Sequence, residues 1–324
     1  MKPQTPRKGR LLILGKLLVS GSLLALLFWR VDRAAFLRSV EALPLSVFLG
    51  CVGLYSLGYV ISTLRWQRLL VAEGIHLPLW RLILVYFEAA FFNLFLPTLI
   101  GGDIVRGYTI YRITRGHDAS IASILVDRLS GFAAMVAIAL VALGFAYQRL
   151  QDPQVTGMIL AVAAVFILTM TLLLNDRVKN VATGILRVVG LVRFQAKIQG
   201  LVDAIHRYRR HHQALGQALL LSGLLQALII ITYYLIGTAL NLGVPLGYFF
   251  LYVPLITVMA MLPVSVAGLG VREGGVIYFF AKVGVDPAAA LGMSLVWFSL
   301  TLAVSGLGGL VFLLHTHAVK RLEE

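Results

Sequence analysis

Apolar runs of about 20 residues recur along this chain, and an α-helix of that length spans the roughly 30 Å hydrocarbon layer of a bilayer. They lie near 11–29, 45–64, 119–147, 156–174, 214–240 and 287–313. Inside lipid every backbone N–H and C=O must be satisfied within the protein, which leaves helices or a closed barrel. Runs this long specify helices. The predicted class is therefore an all-α polytopic membrane protein with about six full transmembrane helices. Composition agrees: 59% of the 324 residues are apolar and 13% charged, with mean hydropathy +0.89, against about 45–50% and 25% in soluble domains. Cys51 is the single cysteine, so no intrachain disulfide forms.

Two further apolar segments, roughly 80–116 and 247–283, are interrupted in the middle by Pro and Gly. The first reads Leu96-Pro97, then Gly101-Gly102-Asp103, then Arg106; the second reads Leu262-Pro263, Ser265, Gly268, Gly270, then Arg272-Glu273. Leu-Pro, Gly and Arg recur at an offset of 166, about half the chain. Broken spans at matching places in two halves point to a transporter binding site. We read 1–324 as one transmembrane domain with pseudo-repeat halves of roughly 11–174 and 178–324. Each broken segment is expected to be a re-entrant helical hairpin, the two inverted relative to each other.

Charge placement supports that topology. With both hairpins re-entrant, residues 1–10, 65–81, 101–118, 175–213 and the C-terminus share one side and carry 20 Lys and Arg, against five on the other. By the positive-inside rule both termini are cytoplasmic. The formal charge of +14 then reflects topology, and no nucleic-acid partner is expected. Residues 175–213 are expected to form a cytoplasmic amphipathic basic segment on the membrane surface, or a plain linker helix, and 32–42 a short outer interfacial piece.

Ionisable side chains in the hydrocarbon region cost roughly 2.5–3.5 kcal/mol each on insertion scales, so they normally face a cavity or a partner. The candidates are Glu88, Asp103, Arg106, Asp127, Arg128, Arg272 and Glu273. Gly101, Gly102, Gly268 and Gly270 free the backbone to turn, and Pro97 and Pro263 cannot continue a helical ladder. A helix restarting after such a turn aims unpaired N–H groups and the positive end of its dipole inward, and an adjacent Arg completes an anion site. Asn93 and Ser265 lie at the turns as hydrogen-bonding groups. The competing reading is that each Arg merely neutralises its neighbouring acid and ties the hairpin down. All seven His fall in expected loops or ends, His315 and His317 in a solvated tail, and no metal-spaced cysteines or nucleotide loop occur; no catalytic residue, metal or cofactor is expected. Gly306, Gly308 and Gly309 read as close helix packing.

Arg65-Trp66 with Leu69-Leu70, the run from Asn93 through Pro97 and Gly101-Gly102-Asp103 to Arg106, Asp127-Arg128 with Gly131, and the run from Pro263 to Glu273 resemble a flippase-like integral membrane family typified by the N-terminal membrane region of lysylphosphatidylglycerol synthases. The resemblance implies movement of lipids with polar head groups between leaflets of the inner membrane. It implies as cargo a phospholipid or a polyprenyl-phosphate-linked sugar. The soluble transferase domain of the synthases has no counterpart in these residues, so the chain is not expected to aminoacylate lipid. On this reading Arg106 and Arg272 hold a head-group phosphate, Asp103 and Glu273 orient them or receive a cationic head group, and Asp127 and Arg128 line the path. A membrane-embedded enzyme acting on lipid-linked phosphates, a non-catalytic scaffold and self-association as a homo-oligomer stay open at this point.

Overall fold

In a computed structural model, the structure describes residues 43–95, 101–114, 117–150, 152–174, 207–208, 210–262, 264–265 and 268–323. The expected first span, the piece 32–42, Pro97, Pro263 and residues 175–206 of the basic segment lie outside them. Nine helices and no strand occur among the described residues: α1 Leu45–Ala72, α2 Leu79–Phe95, α3 Gly101–Thr114, α4 His117–Leu150, α5 Pro153–Leu174, α6 His212–Ala239, α7 Leu246–Met261, α8 Val271–Ala281 and α9 Pro287–Glu323. Five contain stretches long and apolar enough to cross a bilayer, Leu45–Ala72, Ser120–Phe145, Pro153–Leu172, His212–Ala239 and Pro287–Leu314. The chain is a multi-pass α-helical membrane protein.

Two expectations need correction. Residues 65–72, expected in a loop, continue α1, because no Gly or Pro intervenes between Gly58 and Gly74. The backbone of 315–323, expected as a solvated tail, continues α9.

Correspondence at a half-chain offset extends beyond the two short motifs. Helices α1 and α6 are each 28 residues long and begin 167 residues apart, at Leu45 and His212. Both end in the same turn. Gly74 (φ 78°) and Asn241 (φ 56°) take the left-handed conformation. The N–H of Ile75 reaches Leu70 O at 2.9 Å, and that of Leu242 reaches Gly237 O at 3.0 Å. This six-residue closure is a Schellman C-cap, and it satisfies carbonyls that the helix end leaves open. Pro78 and Pro245 then precede α2 and α7, where a missing N–H costs nothing.

Each broken segment stops where expected. The start of α3 lies against the last turns of α2: Gly102 N–H donates to Asn93 Oδ1 at 2.6 Å, and a Cβ at Gly102 would sit 2.7 Å from Ala89 O. The chain leaves α7 through extended Leu262 and enters α8 through Gly268 (φ 74°) and Gly270 (φ 83°). A Cβ at Gly268 would lie 2.9 Å from Ala260 Cβ and O. Both turns therefore need glycine for conformation or for space.

By Cα proximity the chain divides into two compact units, one comprising Met1–Tyr59, Leu84–Val105 and Ala227–Glu324, the other Val60–Ile83 and Arg106–Gln226. The core of the first is aromatic: Tyr233 stacks on Trp297 with centroids 4.0 Å apart, and Tyr55 meets the same indole edge-on. Phe87 and Phe91 on α2 pack against α9, where Gly308 and Gly309 make room; Gly306 has open space around it. The second unit packs α1 after Tyr59, α4 and the first half of α6 around Leu69, Ala122, Val126 and Ala218.

A Cβ at Gly308 would fall 2.0 Å from Phe87 O, a backbone atom that cannot rotate away. Gly308→Ala is expected to destabilise by about 1–3 kcal/mol through overpacking. Gly306→Ala should be neutral or slightly stabilising, since alanine favours a helix by about 0.8–1 kcal/mol over glycine. Thermal unfolding of the two purified variants in detergent checks the contrast.

Candidate functional site

A buried guanidinium needs a carboxylate, and the second unit supplies one to two arginines at once. Asp127, on α4, is 1% exposed. Its Oδ1 accepts from Arg65 Nε at 2.6 Å and its Oδ2 from Arg106 Nη2 at 2.8 Å. Arg65 and Arg106 are themselves buried. Arg65 Nη1 also donates to Ser222 Oγ at 2.9 Å, and Ser222 reaches Ser130 on α4 at 3.3 Å. The Arg106 guanidinium lies over the Trp66 ring, 4.2 Å from its centroid, and the Trp66 indole N–H donates to Ser123 Oγ. Gly131 leaves room for Arg65, whose Nη1 would lie 3.1 Å from a Cβ there.

Helix geometry sets the depth of this cluster. Arg65 is seven residues before the end of α1, and Asp127 and Ser222 are each ten residues after the starts of α4 and α6. At 1.5 Å per residue that is about 10–15 Å along the helices from those ends. Arg65 is not among the residues singled out from the sequence as a site candidate. The signal for it was the unbroken helical spacing of Trp66, Leu69 and Leu70 up to Gly74.

In the first unit the second motif closes on itself. Arg272 Nε donates to Glu273 Oε1 at 3.0 Å, and Nη2 donates to the same oxygen. Glu273 Oε2 accepts the Gly270 N–H at 2.6 Å. This is half of a capping box, since Gly270 has no side chain to return the bond. Ser294 Oγ on α9 adds a contact to Oε1 at 3.3 Å, and the guanidinium sits 5.3 Å from the Phe298 centroid. Glu273 is fully buried.

The two clusters occupy matching positions half a chain apart. Arg106 and Arg272 correspond at an offset of 166, Asp127 and Ser294 at 167. Where the first copy places its carboxylate on the following helix, the second has a serine there and carries the carboxylate beside the arginine, at the position of Gly107. Each arginine meets an acid, drawn from a different element.

The other candidates lie on α2, α3, α4 and the turn before α8. Glu88 is buried on α2, Asn93 caps the Gly102 N–H, and Asp103 is half-buried in the first turn of α3, where the helix dipole favours a negative charge. Arg128 is half-buried on α4. Ser265 is 5% exposed, and its Oγ has no hydrogen-bond partner among the described residues.

Removing one member of a buried ion pair typically costs roughly 3–5 kcal/mol, and Asp127→Ala takes away the carboxylate that two guanidiniums share. Its unfolding transition should therefore fall furthest. Asp127→Glu should fall less, and Ser294→Ala should lose no more than about 1 kcal/mol, the worth of one weak hydrogen bond. Denaturant or thermal unfolding in detergent ranks the three.

No curated protein matches this chain. The family described as lysylphosphatidylglycerol synthase TM region matches residues 13–309, a stretch that includes both broken segments and both arginine clusters. That match bears out the resemblance carried by the same motifs, and the chain belongs to the lysylphosphatidylglycerol synthase TM region family.

Proposed function

We propose that the protein moves a lipid with a phosphate-bearing head group between the leaflets of the inner membrane, and that Arg65 and Arg106 hold the phosphate. The observation that carries this reading is the pair of buried guanidiniums on one carboxylate, about 10–15 Å inside the helix ends. Intramembrane charges are costly and are kept where they serve a pathway. Arg presents a planar fork that matches phosphate, and Asp127 and Trp66 hold the two forks in place. Membership of a lipid-related membrane family agrees with the assignment.

Arg272 has a different role in this proposal. Its donors go to Glu273, which also holds the Gly270 N–H, so the pair fixes the turn into α8. The breaks before α3 and α8 are taken as re-entrant, entering from opposite leaflets. They put polar backbone at membrane depth, which is tolerated where it lines a protein-walled path. Lipid tails stay in the bilayer while the head group crosses. The protein acts as a transporter rather than an enzyme, and both termini face the cytoplasm.

Reconstitution in liposomes with fluorescent lipids tests this. The wild-type protein should exchange phosphate-bearing lipids and leave a neutral glycosyl-diacylglycerol at the protein-free rate. Arg65→Gln and Arg106→Gln should each slow exchange about tenfold or more, the scale of one charge-assisted bidentate contact. Wild-type exchange by Arg106→Gln, or equal transport of the neutral lipid, would sink the phosphate assignment.

A further inference from the structure

One side chain from outside the transmembrane helices reaches into the second unit. Tyr208 lies four residues before α6 and is 1% exposed. Its ring packs among Leu69, Ala122, Val126 and Ala218. Three of these neighbours stand one helical turn from residues of the cluster: Leu69 is four residues after Arg65, Val126 four before Ser130, and Ala218 four before Ser222. Residues four apart share a helix face. On all three helices the step from the cluster to the tyrosine layer runs toward the same ends, where α1 stops and α4 and α6 begin. Tyr208 therefore fills the layer between the cluster and those ends.

A hydrogen bond holds it, and an ion pair lies beside it. The Glu73 N–H turns to Leu70 O, and the Tyr208 O–H donates to Leu69 O at 2.9 Å, supplying a carbonyl near the helix end with a donor. Burial, with the Glu73 carboxylate nearby, pushes the phenol well above its ordinary range, so it stays a donor. Beside it, Arg207 Nη2 pairs with Glu73 Oε2 at 3.2 Å. The arginine side chain is 49% exposed and the glutamate 7%. The other oxygen, Glu73 Oε1, is buried with no hydrogen-bond partner among the described residues. A carboxylate so desolvated strengthens the hold on its arginine.

We propose that Tyr208 is a plug closing the route from these helix ends to the Arg65–Asp127–Arg106 cluster, with the Arg207–Glu73 pair as its latch. The device goes beyond the transport reading and does not require it. It joins the cluster to Arg207 and Tyr208, so a displacement of these two residues opens the cluster to water.

Accessibility of a reporter thiol decides the matter in lipid nanodiscs, where both faces meet the reagent. In a Cys51→Ala background, Ser123→Cys places a thiol beside Trp66, and Ser305→Cys serves as a buried control in the first unit. An anionic methanethiosulfonate should react slowly with both. Tyr208→Ala should speed modification at position 123 by about tenfold or more, because it empties a buried aromatic site. Tyr208→Phe keeps the ring and should change it little, and Glu73→Gln should fall between. Position 305 should not respond to any of them. An unchanged rate at 123 in Tyr208→Ala overturns the plug, as does a parallel rise at 305, which would make Tyr208 a support of the whole fold. An unchanged rate in Glu73→Gln overturns the latch. Lipid exchange is not the readout, so this proposal and the phosphate assignment fail separately.

Discussion

A guanidinium buried inside a protein must meet negative charge there, and much of the described structure follows from that requirement. Asp127 meets Arg65 and Arg106 through its two oxygens, which fixes how α1, α3 from Arg106 onward, and α4 approach one another in the second unit. Ser222 brings α6 to the same point. Desolvating charges is expensive, and excellent geometry with further hydrogen bonds is what offsets the cost. The serines at 130 and 222, the Trp66 face under Arg106 and the missing side chain at Gly131 provide that geometry.

The repeat shows that the requirement can be met in two ways. Both copies keep a helix ended by a left-handed residue, a Pro-led second helix, a break and an arginine just after it. In the first copy the acid belongs to the next helix, so the ion pair ties distant elements together. In the second it is adjacent in sequence and also caps the turn at Gly270, so the pair stabilises a local shape. The same arginine position thus serves packing in one copy and turn formation in the other.

Where no charge is involved, shape governs. Gly308 and Gly309 admit Phe87 and Phe91 to α9, and Gly102 admits α2 to the start of α3. Among transmembrane helices, close approach of small residues replaces the hydrophobic drive that lipid abolishes. Tyr208 combines both principles, an aromatic ring filling an apolar layer and a hydroxyl answering a helix-end carbonyl.

The sequence by itself determined the helical membrane class, the apolar helices and the two breaks. These depend on local periodicity, on Gly and Pro, and on the cost of exposed backbone in lipid, all of which are written in short windows. Arg106, Asp127, Arg272 and Glu273 were legible as unusual because charge in an apolar run is costly wherever the chain goes. Their pairing was not. Asp103 and Asp127 stand 3 and 21 residues from Arg106, and only helix packing chose Asp127 to receive its Nη2. Arg65 looked like the edge of a loop because local hydropathy falls there, and only its burial against α4 and α6 made it part of the cluster. Tertiary structure decided these points because an ion pair depends on distance in space, and helices crossing a membrane bring together residues that sequence separation keeps 62 or 157 positions apart.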